Sequence, residues 1–332
     1  MRTTLSLALV TMLAACSGGK TEAENPEPTA PPPATTTPPV ASAPTATPTT
    51  AAPAEPTPPK PDVEWTGFST PESVLYDAEG DRYFVSNING KPLDADNNGF
   101  ISELTPDGKV KTLKLIEGGQ NKVTLHAPKG MALVAGVLYV ADIDTVRMFD
   151  IKGAPVVKGE IKIAGSTFLA DMAAGTGKDA PVYVTDLGMK QGASDFEPTG
   201  TDAVYVIEKG RAKALVKSTD LNRPNGVVMT PKGVLVNTFG ADEVYRLGKD
   251  GKKEDVTKTP KGGLDGLAFF KDEVIVSSWQ GQALYKGPLG GKLVPFLENL
   301  KAPADFAVDT KRNLVVVPRF LDNTVQGFRL SQ

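Results

Sequence analysis

The chain has 332 residues, 40% of them hydrophobic, and a formal net charge of −3. It can therefore bury a sizeable core, and it lacks the basic excess that nucleic-acid binding demands. No phosphate-binding loop, dinucleotide fingerprint or Cys/His metal cluster is present, with one cysteine and one histidine in the chain. In chain order, Met1 and Arg2 precede an apolar run from Leu5 to Leu13, too short to span a bilayer and ordered like a secretion signal. Residues 17–61 are dominated by Pro, Thr and Ala and hold nothing apolar larger than Val40, so they cannot bury enough surface to fold. From residue 62 onward, short apolar strands alternate with Asp, Gly or Lys turns, and no stretch carries a convincing helical period.

The leader ends in Leu13-Ala14-Ala15-Cys16, which resembles the bacterial lipobox. That resemblance implies a signal peptide over 1–15, lipidation at Cys16 and a membrane anchor in the bacterial cell envelope. Ser17, in place of the Asp that retains such proteins at the inner membrane, implies the periplasmic side of an outer membrane. The alternative is an ordinary signal peptide with a chance cysteine. Residues 16–61 then form a tether, whose prolines favour polyproline II at about 3.1 Å per residue. Such a tether lifts the folded part on the order of 100 Å from the membrane. A plain disordered tail differs from it only in stiffness.

Six related stretches follow: PESVLYDAEGDRYFVSNI, PKGMALVAGVLYVADI, LADMAAGTGKDAPVYVTDL, PNGVVMTPKGVLVNTF, LDGLAFFKDEVIVSSW and PADFAVDTKRNLVVVPRF. Their head residues are Glu72, Lys129, Asp171, Asn225, Asp265 and Asp305, recurring at intervals of roughly 40 to 57 residues, the spacing of a β-propeller blade with loop insertions. The expected fold over 62–332 is all-β, a six-bladed propeller with four-stranded blades. The sixth copy holds three strands, so the run Asp62 to Phe68 is expected to supply its fourth and close the ring, removing an exposed sheet edge.

Antiparallel pairing places the start of each first strand beside the end of each second strand, at one mouth of the channel. The second strands end in Asn87, Asp142, Asp186, Thr238, Ser278 and Arg319. Together the two sets bring six carboxylates (Glu72, Asp142, Asp171, Asp186, Asp265, Asp305) and two cations (Lys129, Arg319) to one opening. Either a metal or the basic residues must neutralise them.

The heads TPESV, RPNGV and LDGLA resemble the regucalcin and gluconolactonase family of six-bladed propellers, over about residues 62–332. The resemblance implies a divalent metal held by Glu72, Asn225 and Asp265. It also implies metal-dependent hydrolysis of a lactone or related ester, with Asp265 as proton acceptor. Arg223-Pro224-Asn225-Gly226 and Asp265-Gly266 match the family pattern well. Around Glu72 the chain has Pro71-Glu72-Ser73 where the family has Glu-Gly-Pro. Oxygen-only ligands suit calcium before magnesium or a tight zinc site. Lys129 departs from the pattern. It either serves a substrate, with Asp171 assisting, or pairs with Asp142, Asp171 or Glu72 and seals a metal-free mouth. In the second case the protein is a non-catalytic propeller that binds a small molecule or an envelope protein. A monomer is expected.

Asp94-x-Asp96-x-Asn98-Gly99 has the opening spacing of a calcium loop, but its twelfth position is Thr105, so a plain polar turn stands against calcium there. This loop and the one from Leu187 to Thr201 join second to third strands and should rise over the mouth, as partial lids with Met189 and Phe196 as apolar contacts, or as surface insertions. His126 has no serine or cysteine elbow with it and reads as a loop residue. Ile88, Ile143, Leu187, Phe239, Trp279 and Phe320, which follow the second-strand ends, read as inter-blade packing, with Trp279 also able to stack on a sugar.

Overall fold

The computed structural model describes residues 57–330. The expected signal peptide, the expected lipidation site Cys16 and most of the expected tether lie outside the described residues. Six four-stranded antiparallel sheets follow one another around a ring. Blade one comprises Pro71–Asp77, Arg82–Asn87, Phe100–Leu104 and Val110–Glu117, and blade two Pro128–Val134, Val137–Asp142, Thr145–Asp150 and Val156–Lys162. Blade three comprises Leu169–Ala174, Val182–Asp186, Ala203–Glu208 and Arg211–Lys217. Blade four is Pro224–Thr230, Gly233–Thr238, Glu243–Leu247 and Lys253–Lys258, and blade five Leu264–Phe270, Glu273–Ser278, Ala283–Pro288 and Val294–Leu297. Among the described residues, the one helical element is a 3-10 turn over Thr219–Leu221, and no helix is long and apolar enough to cross a membrane.

Blade six takes Ala307–Asp309, Leu314–Arg319 and Thr324–Arg329 from the end of the chain and Val63–Thr66 from its beginning. Val63 pairs with Gly327 and Thr66 with Thr324, so the expected closing strand is in place. Trp65 on that strand is 1% exposed and packs edge-on against Tyr83 of blade one. Closure therefore joins the chain's two ends through a buried aromatic contact as well as through the ladder.

The core is divided into wedges between neighbouring sheets. Met131, Leu138, Val140 and Phe149 of blade two meet Phe84, Ile101 and Ile116 of blade one, and comparable clusters fill the other five interfaces. Alternate residues of each twisted strand face opposite neighbours, so every sheet contributes to two wedges. Each buried Leu, Val or Phe contributes roughly 1.5–3 kcal/mol. Stability is thus spread around the ring, while the channel is left to polar groups.

Candidate functional site

The channel wall is made by the six first strands, and each begins with an irregularity. Pro71 pairs with Asn87, Pro128 with Asp142, Leu169 with Asp186, Pro224 with Thr238 and Leu264 with Ser278, and the register then slips before regular pairing resumes. Pro303 and Arg319 form the corresponding bridge in blade six. The residues in the slip are freed from the ladder and can turn into the channel.

Counting from those pairs corrects the alignment of the repeats. Glu72, Lys129, Asn225 and Asp265 each follow the paired residue directly, whereas in blades three and six that place is held by Ala170 and Ala304. Asp171 and Asp305 come one residue later, at the level of Ser73, Gly130, Gly226 and Gly266. The channel therefore carries two layers of polar side chains. One holds Glu72, Lys129, Asn225 and Asp265, and the next holds Asp171 and Asp305 from opposite blades, within hydrogen-bonding reach of each other. The glycines make this possible. A Cβ on Gly130 would lie 2.4 Å from the Asp171 Cα, one on Gly226 would lie 2.3 Å from the Asp265 carbonyl oxygen, and one on Gly266 would lie 2.7 Å from the Phe306 nitrogen.

Asn225 Nδ2 donates to Asp265 Oδ1 at 3.1 Å, and the Trp279 indole donates to Asp265 Oδ2 at 2.7 Å. Glu72 Oε2 is enclosed and has no hydrogen-bond partner. In the deeper layer Asp171 accepts from the Val227 N–H at 2.8 Å and from the Met172 N–H at 2.6 Å, while Asp305 accepts from the Ser73 hydroxyl. Lys129, 1% exposed, donates to the Ala127 carbonyl at 2.8 Å, and its ammonium lies 4.9 Å from the centre of the Phe168 ring. Among the described residues it forms no ion pair within 4.0 Å, so the salt bridge to Asp142, Asp171 or Glu72 that one of its two readings requires is not made.

The electrostatics follow from four carboxyls and one ammonium sharing a poorly hydrated space. Burial pushes Asp265 up to about 7, with the Asp305 charge adding to it and the Trp279 and Asn225 hydrogen bonds opposing it. Burial lifts Asp171 to about 7 against the two backbone donors. Glu72 and Asp305 are raised well above the ordinary carboxyl range, first by burial and then by neighbouring carboxylates. Burial lowers Lys129 to about 8, with Glu72 and Asp142 opposing the shift. With one ammonium for four carboxyls, the site must take up either protons or a cation.

Asp142, Asp186 and Arg319 do not belong to it. Asp142 binds the His126 and Ala127 N–H groups and the Arg147 guanidinium. Asp186 binds the Thr167, Phe168 and Gly188 N–H groups. Arg319 binds the Lys301 carbonyl, Gln326 and Asp322. In these blades, and in blades one and five through Asn87 and Ser278, the last residue of the second strand staples the segment leading into the first strand, whose unpaired backbone groups need a partner. The residue before it ties neighbouring blades together: the Thr185 hydroxyl donates to the Asn225 carbonyl, the Asn237 amide to the Asp265 carbonyl and the Ser277 hydroxyl to the Ala304 carbonyl. This buried girdle fixes the carriers of the site. Its signal in the sequence is the polar pair closing most second strands.

Over this mouth Leu93 from one long loop and Met189 and Phe196 from the other pack with Phe168, Ala170, Leu187 and Phe239. Both loops therefore reach the mouth, and the second carries a small hairpin, Met189–Gln191 with Phe196–Pro198. Phe239, Trp279 and Phe320 form a half-buried aromatic row beside it. In the Asp94–Asn98 loop the Asn98 amide donates to Asp96, and Asn97 makes the anchoring contacts, its N–H donating to His126 Nδ1 and its Oδ1 accepting from the Leu125 N–H. His126 thus serves the loop.

A gluconolactonase from Xanthomonas campestris superposes with a TM-score of 0.59 at 15% identity, over 80% of this chain and 88% of that one. A putative gluconolactonase gives 0.56 at 15% identity over 80% and 92%, and a streptogramin B lyase 0.53 at 12% over 81% and 87%. The fold is that of gluconolactonase-type six-bladed propellers. No protein-family model matches the sequence, and no curated protein does. At such identities the likeness speaks for the fold, and the chemistry has to be argued from the channel.

Proposed function

We propose that this protein binds a divalent cation in its channel through Glu72, Asn225 and Asp265, and uses the site to hydrolyse a lactone or related ester. The observation that carries the reading is the enclosed, unpartnered Oε2 of Glu72 in a layer that also presents the hydrogen-bonded pair Asn225 and Asp265. An orphaned carboxylate oxygen in a carboxyl-rich cavity calls for a positive partner. Among the described residues no three His, Cys, Asp or Glu side chains are grouped to hold a metal. The candidate set instead combines two carboxylates with an amide, a hard-oxygen donor set that suits calcium before zinc or magnesium.

A bound cation would supply Lewis acidity toward the ring carbonyl of a lactone. Asp265, held on both oxygens by Asn225 and Trp279, is placed to accept a proton, and its raised affinity for one suits that task near neutral pH. Lys129 can donate to an anionic or carbonyl group of the substrate, and Asp171 can assist proton movement from the deeper layer. The apolar cluster of Leu93, Met189 and Phe196 would limit water at the mouth. Anchoring through a lipidated Cys16 would hold the monomeric propeller at the cell envelope, on the periplasmic side of the outer membrane.

A second reading rests on Lys129. A lysine 1% exposed in the same layer can stand in for the metal and leave a propeller that binds a small molecule or an envelope protein without turnover. Calorimetric titration of calcium, magnesium, manganese and zinc into wild type and Asp265→Asn separates the two. Binding tighter than millimolar that the substitution weakens, together with hydrolysis within a panel of lactones, supports the enzyme. No such binding, or binding the substitution leaves unchanged, removes the metal site and the hydrolase with it.

A further inference from the structure

A cavity of about 960 Å³ opens at the opposite end of the channel from the Glu72 layer. It is lined by the later halves of the first strands and by the turns that follow them. Glu72, Lys129, Asn225 and Asp265 do not line it, whereas Asp171 and Asp305 do. The two aspartates are therefore the floor of a second chamber. Its walls include Leu75, Met131, Met172, Met229, Leu267 and Phe306, with Asp77, Glu79, Arg82 and Lys152 adding charged groups, so that the lining is about half polar. A concave chamber that combines apolar walls with converging polar groups is a usual form of small-molecule site.

The floor selects the ligand. Two carboxyls meet there, supported by the Ser73 hydroxyl and the Val227 N–H, with no Lys or Arg within 4.0 Å of either among the described residues. Of the cations that line the chamber, Arg82 is committed to Asp77 and Glu103 and Lys152, beside the Gly136 turn, reaches neither aspartate, while Lys129 is held by Ala127 in the other layer. At the floor, where no cation balances the two carboxyls, an anion would meet repulsion. A bare metal ion would gain nothing from the thioethers and hydrocarbon of Met131, Met172, Met229 and Phe306, and Asp77 is already paired with Arg82. An ammonium group on an apolar body satisfies both parts, with its charge on the carboxyls and its body against polarizable methionines and the Phe306 ring. We infer that the far chamber, floored by Asp171 and Asp305, is a binding site for a compact amphipathic organic cation, separate from the Glu72 layer.

The test is calorimetric titration of phenethylamine, with phenethyl alcohol as its neutral match, into the full chain in EDTA, so that a divalent cation plays no part. The amine is expected to bind at least ten-fold more tightly than the alcohol. Asp305→Asn is expected to weaken amine binding at least ten-fold. Ala174→Phe, which enlarges a half-buried residue of the chamber wall and leaves the aspartates intact, is expected to weaken amine and alcohol alike and decides the question if the Asn variant does not fold. Equal binding of amine and alcohol, or amine binding that neither substitution weakens, overturns the inference. Because every arm runs in EDTA, its failure leaves the divalent-cation reading untouched, and the converse holds too.

Discussion

The Trp279 indole N–H donates to Asp265 Oδ2 at 2.7 Å, from a ring wedged 5.1 Å from Phe320 and 6.5 Å from Phe239. A residue that reads as blade packing thus also orients the central carboxylate. A hydrogen bond to a charged group is worth about 1.5–3 kcal/mol, so Trp279→Phe should weaken divalent-cation binding roughly ten- to hundred-fold while keeping the aromatic contacts. The indole is also a reporter, since Trp65, the second tryptophan, is buried at the ring closure. Calcium titration followed by tryptophan emission should show a response in wild type that Trp279→Phe abolishes. An unchanged calorimetric affinity would assign Trp279 to packing alone.

Lys129 gives the opposite sign. Its ammonium sits in a layer with Glu72 and Asp265 and repels any second cation there, by a few kcal/mol at the intermediate dielectric of such sites. Lys129→Met keeps the length of the side chain and removes the charge. Divalent-cation affinity should rise about ten-fold or more, read by calorimetry on the folded variant. If Lys129 serves the substrate, the same variant should also show a raised KM for an anionic lactone. Unchanged cation affinity would place the metal away from this layer.

The architecture was legible because it is local. Six strand pairs, their Gly, Asp and Lys turns and the spare strand before Glu72 specify a closed ring without knowledge of any distant contact. The channel's chemistry was less so. LAD and PAD look like LDG with one residue exchanged, yet cross-strand pairing places Ala170 and Ala304 level with Asp265, and moves Asp171 and Asp305 one step deeper. The extra residue lies on the first strand, three residues there standing against two on the partner, and only the pairing shows which side chains it turns into the channel. Asp142 and Asp186 are expected at the opening because they end second strands. They are taken up by backbone N–H groups of lead-in segments that no periodicity announces.

The crowding at the first-strand starts makes a sharp prediction about glycine. Gly226→Ala would bring a Cβ within 2.3 Å of the Asp265 carbonyl oxygen and 2.5 Å of Asn237 Nδ2, against the girdle that joins blades four and five. Overpacking of this kind costs about 1–3 kcal/mol, and here the displaced atoms carry Asn225 and Asp265. Chemical denaturation should show that loss, and cation affinity should fall with it. Ala at Gly153, where an added Cβ meets nothing within 4 Å, is the control and should be near neutral in both measurements.

The raised carboxyls predict how stability depends on pH in the absence of metal. Asp171 and Asp265 bind protons with values near 7 in the folded chain, against 3.8 when unperturbed. The folded state therefore holds protons that the unfolded state has released. The stabilisation is fully present below the unfolded value and is lost as pH rises through about 7. Each such carboxyl is worth at most about 4 kcal/mol across that window, and shared burial makes the total less than the sum. Lys129 acts at higher pH. Lowered to about 8 from 10.5, it costs the fold stability while both states are protonated, and stability recovers as pH rises between those two values. Thermal unfolding in EDTA should give a Tm that falls from pH 5 to pH 7.5 and turns upward above pH 8. Saturating calcium should flatten the fall, because a ligand bound only by the folded state at a hundred times its Kd adds about 2.7 kcal/mol. Asp265→Asn should shrink both the fall and the calcium effect. A Tm that climbs steadily from pH 5 to pH 7.5 would mean that the channel carboxyls are ionised and already paired.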